Sequence, residues 1–132
     1  MTRINIIPPS ELMDQHLVAE YRELPMVGSA LQRSMNSKSW SKNPLPTTFS
    51  LNKNHVRFFY NKGLYLYKRY QELVAEMRRR GMNPDPDRIF KRDQWPDYLY
   101  NDWTPTPEDQ AITRERIALR ISERPDWYRK TG

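Results

Sequence analysis

The chain has few side chains of the kinds that catalyse reactions, and their spacing excludes the common catalytic motifs. Its only histidines are His16 and His55, and neither belongs to a His-x-Glu or His-Glu-x-x-His pattern. The absence of cysteine rules out thiolate nucleophiles, disulfides and cysteine metal sites. The four glycines form neither a phosphate-binding loop nor a Gly-x-Ser-x-Gly turn. Asp85 and Asp87 flank Pro86, a pattern typical of a turn. We therefore expect no metal site.

An amine is the nucleophile that remains. It must be neutral to attack, and a lysine with a pKa near ~10.4 is almost wholly protonated at neutral pH. An α-amino group, with a pKa of roughly 7.7 to 8.0, has a sizeable neutral fraction. Thr2 has a small side chain of the kind that permits removal of Met1, which would make the Thr2 nitrogen the chain terminus. The chain terminus is therefore the better nucleophile, and a lysine such as Lys62 stays open as the alternative.

Carboxylates and arginines could support such a nucleophile. His16, Glu20 and Glu23 share one polar face of the first predicted helix. From spacing alone, Glu23 is a surface acid paired with a nearby base, and His16 is either at the edge of a site or a half-buried polar residue. Arg116 and Arg120, four residues apart on the last predicted helix, are in isolation solvated helix residues.

Three helices must position these groups. Ser10 as an N-cap after two prolines predicts a helix beginning near residue 10, and Pro25 either kinks it or ends it and starts another. Apolar periodicity and the stop at Gly81 predict a second helix over 62–80. Thr106 followed by Pro107 predicts a third helix that runs to about residue 123.

The segments between the helices read as long loops over 34–55 and 82–105. The core positions predicted for the third helix are Ala111, Arg114 by its aliphatic stem, Ile117, Ala118 and Ile121. We expect an all-α protein, a single domain over residues 1–132 with three main helices, long loops and no significant sheet.

The charge of the chain favours a polyanionic partner. It carries 22 Lys and Arg against 16 Asp and Glu, a formal charge of +6. Residues 33–80 hold 11 basic and 2 acidic groups, so the excess lies in the middle third. A solvated lysine-rich surface would explain the excess as well as a nucleic-acid site would. The apolar runs are too short for a signal peptide or a membrane span, so we expect a soluble intracellular protein, cytoplasmic or associated with DNA.

Several irregular stretches carry a resemblance to a known family. They are Met1–Asn5, Ser10–Leu12, Asp14–Leu17, Ala19–Leu24, His55–Val56, Phe58–Tyr60, Lys62, Arg69–Gly81, Arg124–Pro125 and Trp127–Tyr128. Together they resemble the phage and algal-virus pyrimidine-dimer DNA glycosylase/AP lyases, historically called endonuclease V and distinct from the deoxyinosine enzyme of that name. The resemblance spans essentially the whole chain and implies a single all-α domain of three helices.

The resemblance implies excision of one base of a cis-syn cyclobutane pyrimidine dimer in duplex DNA, followed by strand scission. The implied nucleophile is the α-amine of Thr2, which attacks C1′ and forms an imine that allows β-elimination of the 3′ phosphate. Glu23 is the implied essential carboxylate, placed to stabilise positive charge on the sugar and to assist proton transfer. Neither a metal nor an organic cofactor is implied.

The resemblance also implies a set of DNA contacts. A monomer would bind double-stranded DNA that contains dimers or abasic sites. The contacting residues would be Arg3, Gln15, His16, Tyr21, Arg22, Arg116, Arg120, Trp127 and Tyr128. Met26 departs from the family, which has an arginine at this position. Two alternatives stay open: a basic helical DNA-binding protein without catalysis, and an AP lyase that lacks dimer selectivity.

Overall fold

The structure, a computed structural model, describes residues 3–132 and consists of helices joined by long loops. The α-helices are Asp14–Glu23 (α1), Met26–Met35 (α2), His55–Phe58 (α3), Gly63–Arg79 (α4) and Pro107–Glu123 (α5). No residue in this described range belongs to a β-strand. The predicted all-α class with long loops is confirmed. In the same range, no helix has the length and apolar character needed to span a bilayer.

The first predicted helix begins later than its sequence indicated. Ser10 is not an N-cap: it lies inside a short 3₁₀ turn, Pro9–Glu11, and α1 starts at Asp14. The two prolines before Ser10 favour this tight turn because their fixed φ angles suit its first residues. Pro25 ends one helix and begins another, since α1 stops at Glu23 and α2 starts at Met26.

The other two helices have the predicted ends, but the buried face of α5 differs from the prediction. The Thr106 side chain accepts the hydrogen bond from the Asp109 N–H at 3.1 Å, and Gly81 ends α4 at a φ of +82°. On α5, the predicted core residue Ile117 is buried and Ile121 packs against the core, which confirms these two positions. Ala111, Arg114 and Ala118 are exposed, so these three were wrong, and the buried Thr113 was not predicted. Arg114 instead pairs with Glu11 at 2.8 Å on the surface.

The N-terminal segment is extended and lies in the core. Ile4, Ile6 and Ile7 are each no more than 2% exposed. Main-chain groups of the segment are held by side chains from distant elements. The Ile4 N–H donates to His55 Nε2 at 2.8 Å, and Gln110 donates to the Ile6 carbonyl at 3.0 Å. Burial lowers the pKa of His55 to about 4, so its ring is neutral and Nε2 is available as an acceptor.

A buried ion pair joins this segment to two helices. Arg69 of α4 donates to Glu20 of α1 from Nε at 2.7 Å and from Nη2 at 3.0 Å. The same guanidinium also donates to the carbonyl oxygens of Asn5 and Ile7. The beginning of the described chain is thereby fixed against α1, the helix that carries Glu23.

Candidate active site

A pocket of about 430 Å³ opens where the N-terminal segment, α1, α5 and the end of the chain meet. Six residues singled out from the sequence line it: Arg3, His16, Glu23, Arg116, Arg120 and Tyr128. They come from four separate parts of the chain. The remaining lining residues are Asn5, Ala19, Glu20 and Ile117.

Glu23 is the last residue of α1, and its carboxylate is half-buried in this pocket. The backbone of Arg3 hydrogen-bonds to the carboxylate. Oε2 is buried, and within residues 3–132 no group hydrogen-bonds to it. Burial is the largest effect on this group and raises the pKa of Glu23 despite the hydrogen bond from Arg3. An acceptor oxygen without a partner in a pocket wall suits a group that stabilises a cation on a ligand.

Glu20, three residues earlier, has a different environment. Its side chain is fully buried and both oxygens accept hydrogen bonds from Arg69. The charge of Glu20 is therefore balanced inside the fold, whereas that of Glu23 is directed to the pocket. Two carboxylates on one helix face thus have different environments: Glu20 pairs with Arg69 inside the fold, and Glu23 faces the pocket.

Three arginines give the pocket a positive potential. Burial lowers the pKa of Arg3, and the charges of Arg116 and Arg120 lower it further. Arg3 Nη1 also donates to the Leu51 carbonyl at 2.6 Å, which fixes its side chain. Among the described side chains, Arg116 makes no ion pair, and Arg120 makes only a long one of 3.8 Å with Glu123. Converging guanidinium groups of this kind bind phosphate oxygens.

His16 and Tyr128 form one wall of the pocket. Their rings stack with centroids 4.8 Å apart and an angle of 24° between the planes. His16 Nδ1 is buried and lacks a hydrogen-bond partner in the range that the structure describes. Burial lowers the pKa of His16, and the charge of Arg120 adds to this effect. The imidazole is therefore neutral at pH 7.

Three other residues implied as DNA contacts lie outside the pocket. Gln15 hydrogen-bonds to the backbone of Trp127 and Arg129, and Trp127 itself is 48% exposed. Arg22 is exposed on the adjacent surface, beside the exposed Met26. Their contacts with DNA stay predictions.

Tyr21 is also outside the pocket and has the least favourable position for contacting DNA. Its side chain is only 2% exposed, and its hydroxyl donates to the Asp85 carbonyl at 2.8 Å. The structure thus gives this ring a packing role in the core.

Of the two candidate amines, Lys62 is within the described residues and Thr2 is not. Thr2 lies outside the described residues, next in the chain to Arg3. Lys62 is not part of the pocket; its Nζ donates to the Phe58 carbonyl at 3.0 Å and to Asn61 at 2.8 Å. Burial lowers the pKa of Lys62 to about 8, but its amine is engaged by the turn between α3 and α4.

Sequence reasoning missed four residues of the pocket. Glu20 was placed on the helix face of His16 and Glu23 but was not selected as a site residue, and the helical period could have added Ala19. Ile117 follows Arg116 and was assigned only to the core. Asn5 had no sequence signal, because its position depends on Arg69 holding its carbonyl oxygen from α4.

A family model described as pyrimidine dimer DNA glycosylase matches residues 1–90 of the 132. The match includes Arg3, His16 and Glu23 in the pocket, and it ends before α5 and the end of the chain. A pocket with converging arginines, and with a carboxylate oxygen that lacks a hydrogen-bond partner among the described residues, is consistent with a site that acts on the DNA backbone. The chain therefore belongs to the pyrimidine dimer DNA glycosylase family.

Proposed function

We propose that this pyrimidine dimer DNA glycosylase removes one base of a cyclobutane pyrimidine dimer through an imine with its own N-terminal amine and then cleaves the strand as an AP lyase. The neutral α-amine of Thr2 attacks C1′ as the bond from C1′ to the base breaks. Opening of the sugar ring and loss of a proton from nitrogen then produce the imine. Loss of a C2′ proton from the imine releases the 3′ phosphate by β-elimination.

The observation that carries this proposal is the position of the Glu23 carboxylate. It accepts a hydrogen bond from the backbone of Arg3, the residue covalently joined to Thr2, and it keeps a buried oxygen without a partner in the described chain. As the bond to the base breaks, positive charge develops on the sugar. A carboxylate at this point stabilises that charge and accepts protons that the amine loses.

The arginines supply the second part of the proposed site. Arg3, Arg116 and Arg120 would hold phosphates of the damaged strand, and the 3′ phosphate leaves as an anion that their charges stabilise. His16 and Tyr128 would present a stacked aromatic wall to the extruded nucleotide. We infer that the partner is duplex DNA that contains a dimer or an abasic site, and that a monomer binds it. The location of the protein would follow the location of that DNA.

Borohydride trapping tests this function and separates it from its alternatives, because the reductant converts an imine into a stable covalent bond. Three matched duplexes would carry a cis-syn dimer, an abasic site or no damage. We expect an adduct with the dimer and abasic duplexes, dependent on borohydride, and none with undamaged DNA. An adduct with abasic DNA alone would mean a lyase without dimer selectivity, and no adduct at all would mean a binding protein.

A further inference from the structure

The last nine residues, 124–132, form a tail that returns from α5 to the first turn of α1. The first N–H groups of a helix have no partner within the helix, and α1 has no side-chain cap. The tail supplies one partner: the Asp14 N–H donates to the Arg129 carbonyl at 2.7 Å. Gln15 adds two bonds, donating to the Trp127 carbonyl at 2.6 Å and accepting from the Arg129 N–H at 3.2 Å.

The Asp14 carboxylate fastens the tail at its far end. Oδ1 accepts the Thr131 N–H at 3.0 Å, and Oδ2 accepts the Thr131 hydroxyl at 2.5 Å. Oδ1 also accepts Arg80 Nη1 at 2.9 Å. Burial by itself would raise the pKa of Asp14, but the donors from Thr131 and Arg80 outweigh it and hold the pKa below its usual range.

Arg80 extends the connection to the other end of the chain. Its buried guanidinium donates to the carbonyl oxygens of Pro9 at 3.2 Å and Leu12 at 2.7 Å. Asp14 and Arg80 therefore join the N-terminal segment, α1 and the tail at one point. The pocket is built from these same parts of the chain, together with α5.

Tyr128 is the residue of the tail whose side chain lines the pocket. Trp127, Arg129 and Thr131 all bond to Asp14 or Gln15, and Tyr128 lies between them, stacked on His16. Residues 124–132 form neither helix nor strand, and such a segment is poorly ordered unless contacts with the rest of the fold hold it. Without these hydrogen bonds of its neighbours, Tyr128 would be mobile in the free protein and would have to become ordered each time DNA binds. The entropy lost in that ordering weakens binding.

We propose that Asp14 is a positioning residue which, through Thr131, holds the tail against α1 and keeps Tyr128 stacked on His16 for binding of damaged DNA. This inference rests on the proposed function for its ligand. Asp14 and Thr131 have no part in bond breaking, so their loss acts on substrate binding and leaves the chemical step unchanged.

The test changes the tail and spares Asp14, because Asp14 also pairs with the buried Arg80. Thr131→Val removes the hydroxyl at nearly constant shape, Thr131→Ser keeps it, and truncation after Lys130 removes both donors of Thr131. Ser122→Ala is the matched control, since this exposed hydroxyl donates to the Leu119 carbonyl of its own helix at 2.6 Å and to no other group within residues 3–132. The kinetics are measured on the dimer duplex.

We expect truncation to raise KM about tenfold and leave kcat within about twofold, as loss of a bond to a charged group implies. Thr131→Val should raise KM less than truncation does. Thr131→Ser and Ser122→Ala should behave as the wild type. If truncation left KM unchanged, or lowered kcat by the same factor by which it raised KM, the positioning role of Asp14 and Thr131 would be overturned.

A second readout uses free protein and needs no activity. The NMR signal of the His16 ring should shift on truncation as the ring current of Tyr128 is lost, while that of His55 should stay in place. His55 serves as an internal control because its ring is held by Ile4 and Ser50. An unmoved His16 signal, or movement of both signals, would overturn the positioning role. If wild-type protein forms no adduct with dimer DNA, the proposed function fails while this readout still decides the role of the tail.

Discussion

Glu23 and Glu20 illustrate how position within one helix decides the task of a carboxylate. Both lie on the face of α1 that lines the pocket. Glu20 is neutralised by the bidentate Arg69, and Glu23 keeps an oxygen without a partner among the described residues. A buried carboxylate oxygen that lacks a hydrogen-bond partner reduces the stability of the fold, so its presence argues for a ligand that completes it.

Glu23→Gln should abolish most of the chemistry and retain binding. The amide keeps the size of the side chain but cannot stabilise a cation or accept a proton. We expect the single-turnover rate of dimer excision to fall about 100- to 1,000-fold, with the Kd for the dimer duplex changed by less than about threefold. Gel-based cleavage and fluorescence anisotropy measure the two quantities.

Glu72→Gln is the matched control for that change, because Glu72 is exposed on α4 and does not line the pocket. The pH profile adds a check. Because the Thr2 amine must be neutral and the Glu23 carboxyl ionised, both groups should lower the wild-type rate as the pH falls. Burial raises the pKa of Glu23, so the part of the fall due to this carboxyl should begin above the pKa of an ordinary glutamate, and Glu23→Gln should keep only the part due to the amine. Near-normal cleavage by Glu23→Gln would defeat the mechanism.

At the scale of elements, the site depends on how the N-terminal segment is held against α1 and α4. Arg69 is 3% exposed and bonds to Glu20, Asn5 and Ile7. The pair of Glu20 and Arg69 thus aligns the beginning of the chain with the helix that carries Glu23. This arrangement explains how an extended segment can contribute to a defined site.

Glu20→Gln should destabilise the protein strongly, because it leaves the buried Arg69 charge without its counter-ion. We expect the free energy of unfolding to drop by about 3 to 5 kcal/mol in urea titrations. Glu115→Gln, an exposed change on α5 that is not among the charges acting on Arg69, should alter it by less than about 0.5 kcal/mol. If Glu20→Gln lowered the free energy of unfolding no more than the control does, the ion pair of Glu20 and Arg69 would not be what holds the N-terminal segment.

The elements that the sequence predicts well are those with local signals. Thr106 with Pro107, and Gly81 with its positive φ, mark helix ends through their own backbone and side-chain chemistry. The predicted start of α1 near residue 10 was wrong because Ser10 can act either as a helix cap or as a turn residue, and the neighbouring prolines favour the turn. The predicted face of α5 was wrong in part: Ile117 and Ile121 belong to the core, but a surface ion pair with Glu11 draws Arg114 outward.

The candidate site was predictable in part for the same reason. Spacing placed His16 and Glu23 on one face, but it could not distinguish Glu20, whose partner Arg69 is 49 residues away. Spacing could not predict the role of His55 either, because its ring accepts a hydrogen bond from the Ile4 N–H, 51 residues away in the chain. Contacts between distant parts of the chain leave no periodic signal in sequence.

At the scale of the whole molecule, the positive charge has two different uses. The middle third holds the sequence excess, yet two of its arginines, Arg69 and Arg80, are buried in ion pairs within the fold. The arginines of the pocket come instead from the beginning of the chain and from α5. Net charge indicated a polyanionic partner, and only the folded arrangement identifies the arginines that could face it.

If the α-amine of Thr2 forms the imine, the covalent adduct that borohydride traps must lie on the N-terminal peptide, and mapping that adduct is the decisive experiment. Wild-type protein is trapped on the dimer duplex with borohydride, digested, and analysed by mass spectrometry, with a parallel sample in which the N-terminal amine is methylated beforehand. We predict that the nucleotide is attached to the N-terminal peptide at Thr2, with Met1 removed, and that methylation abolishes trapping. An adduct on the peptide that contains Lys62, or trapping undiminished by methylation or by retained Met1, would contradict the account.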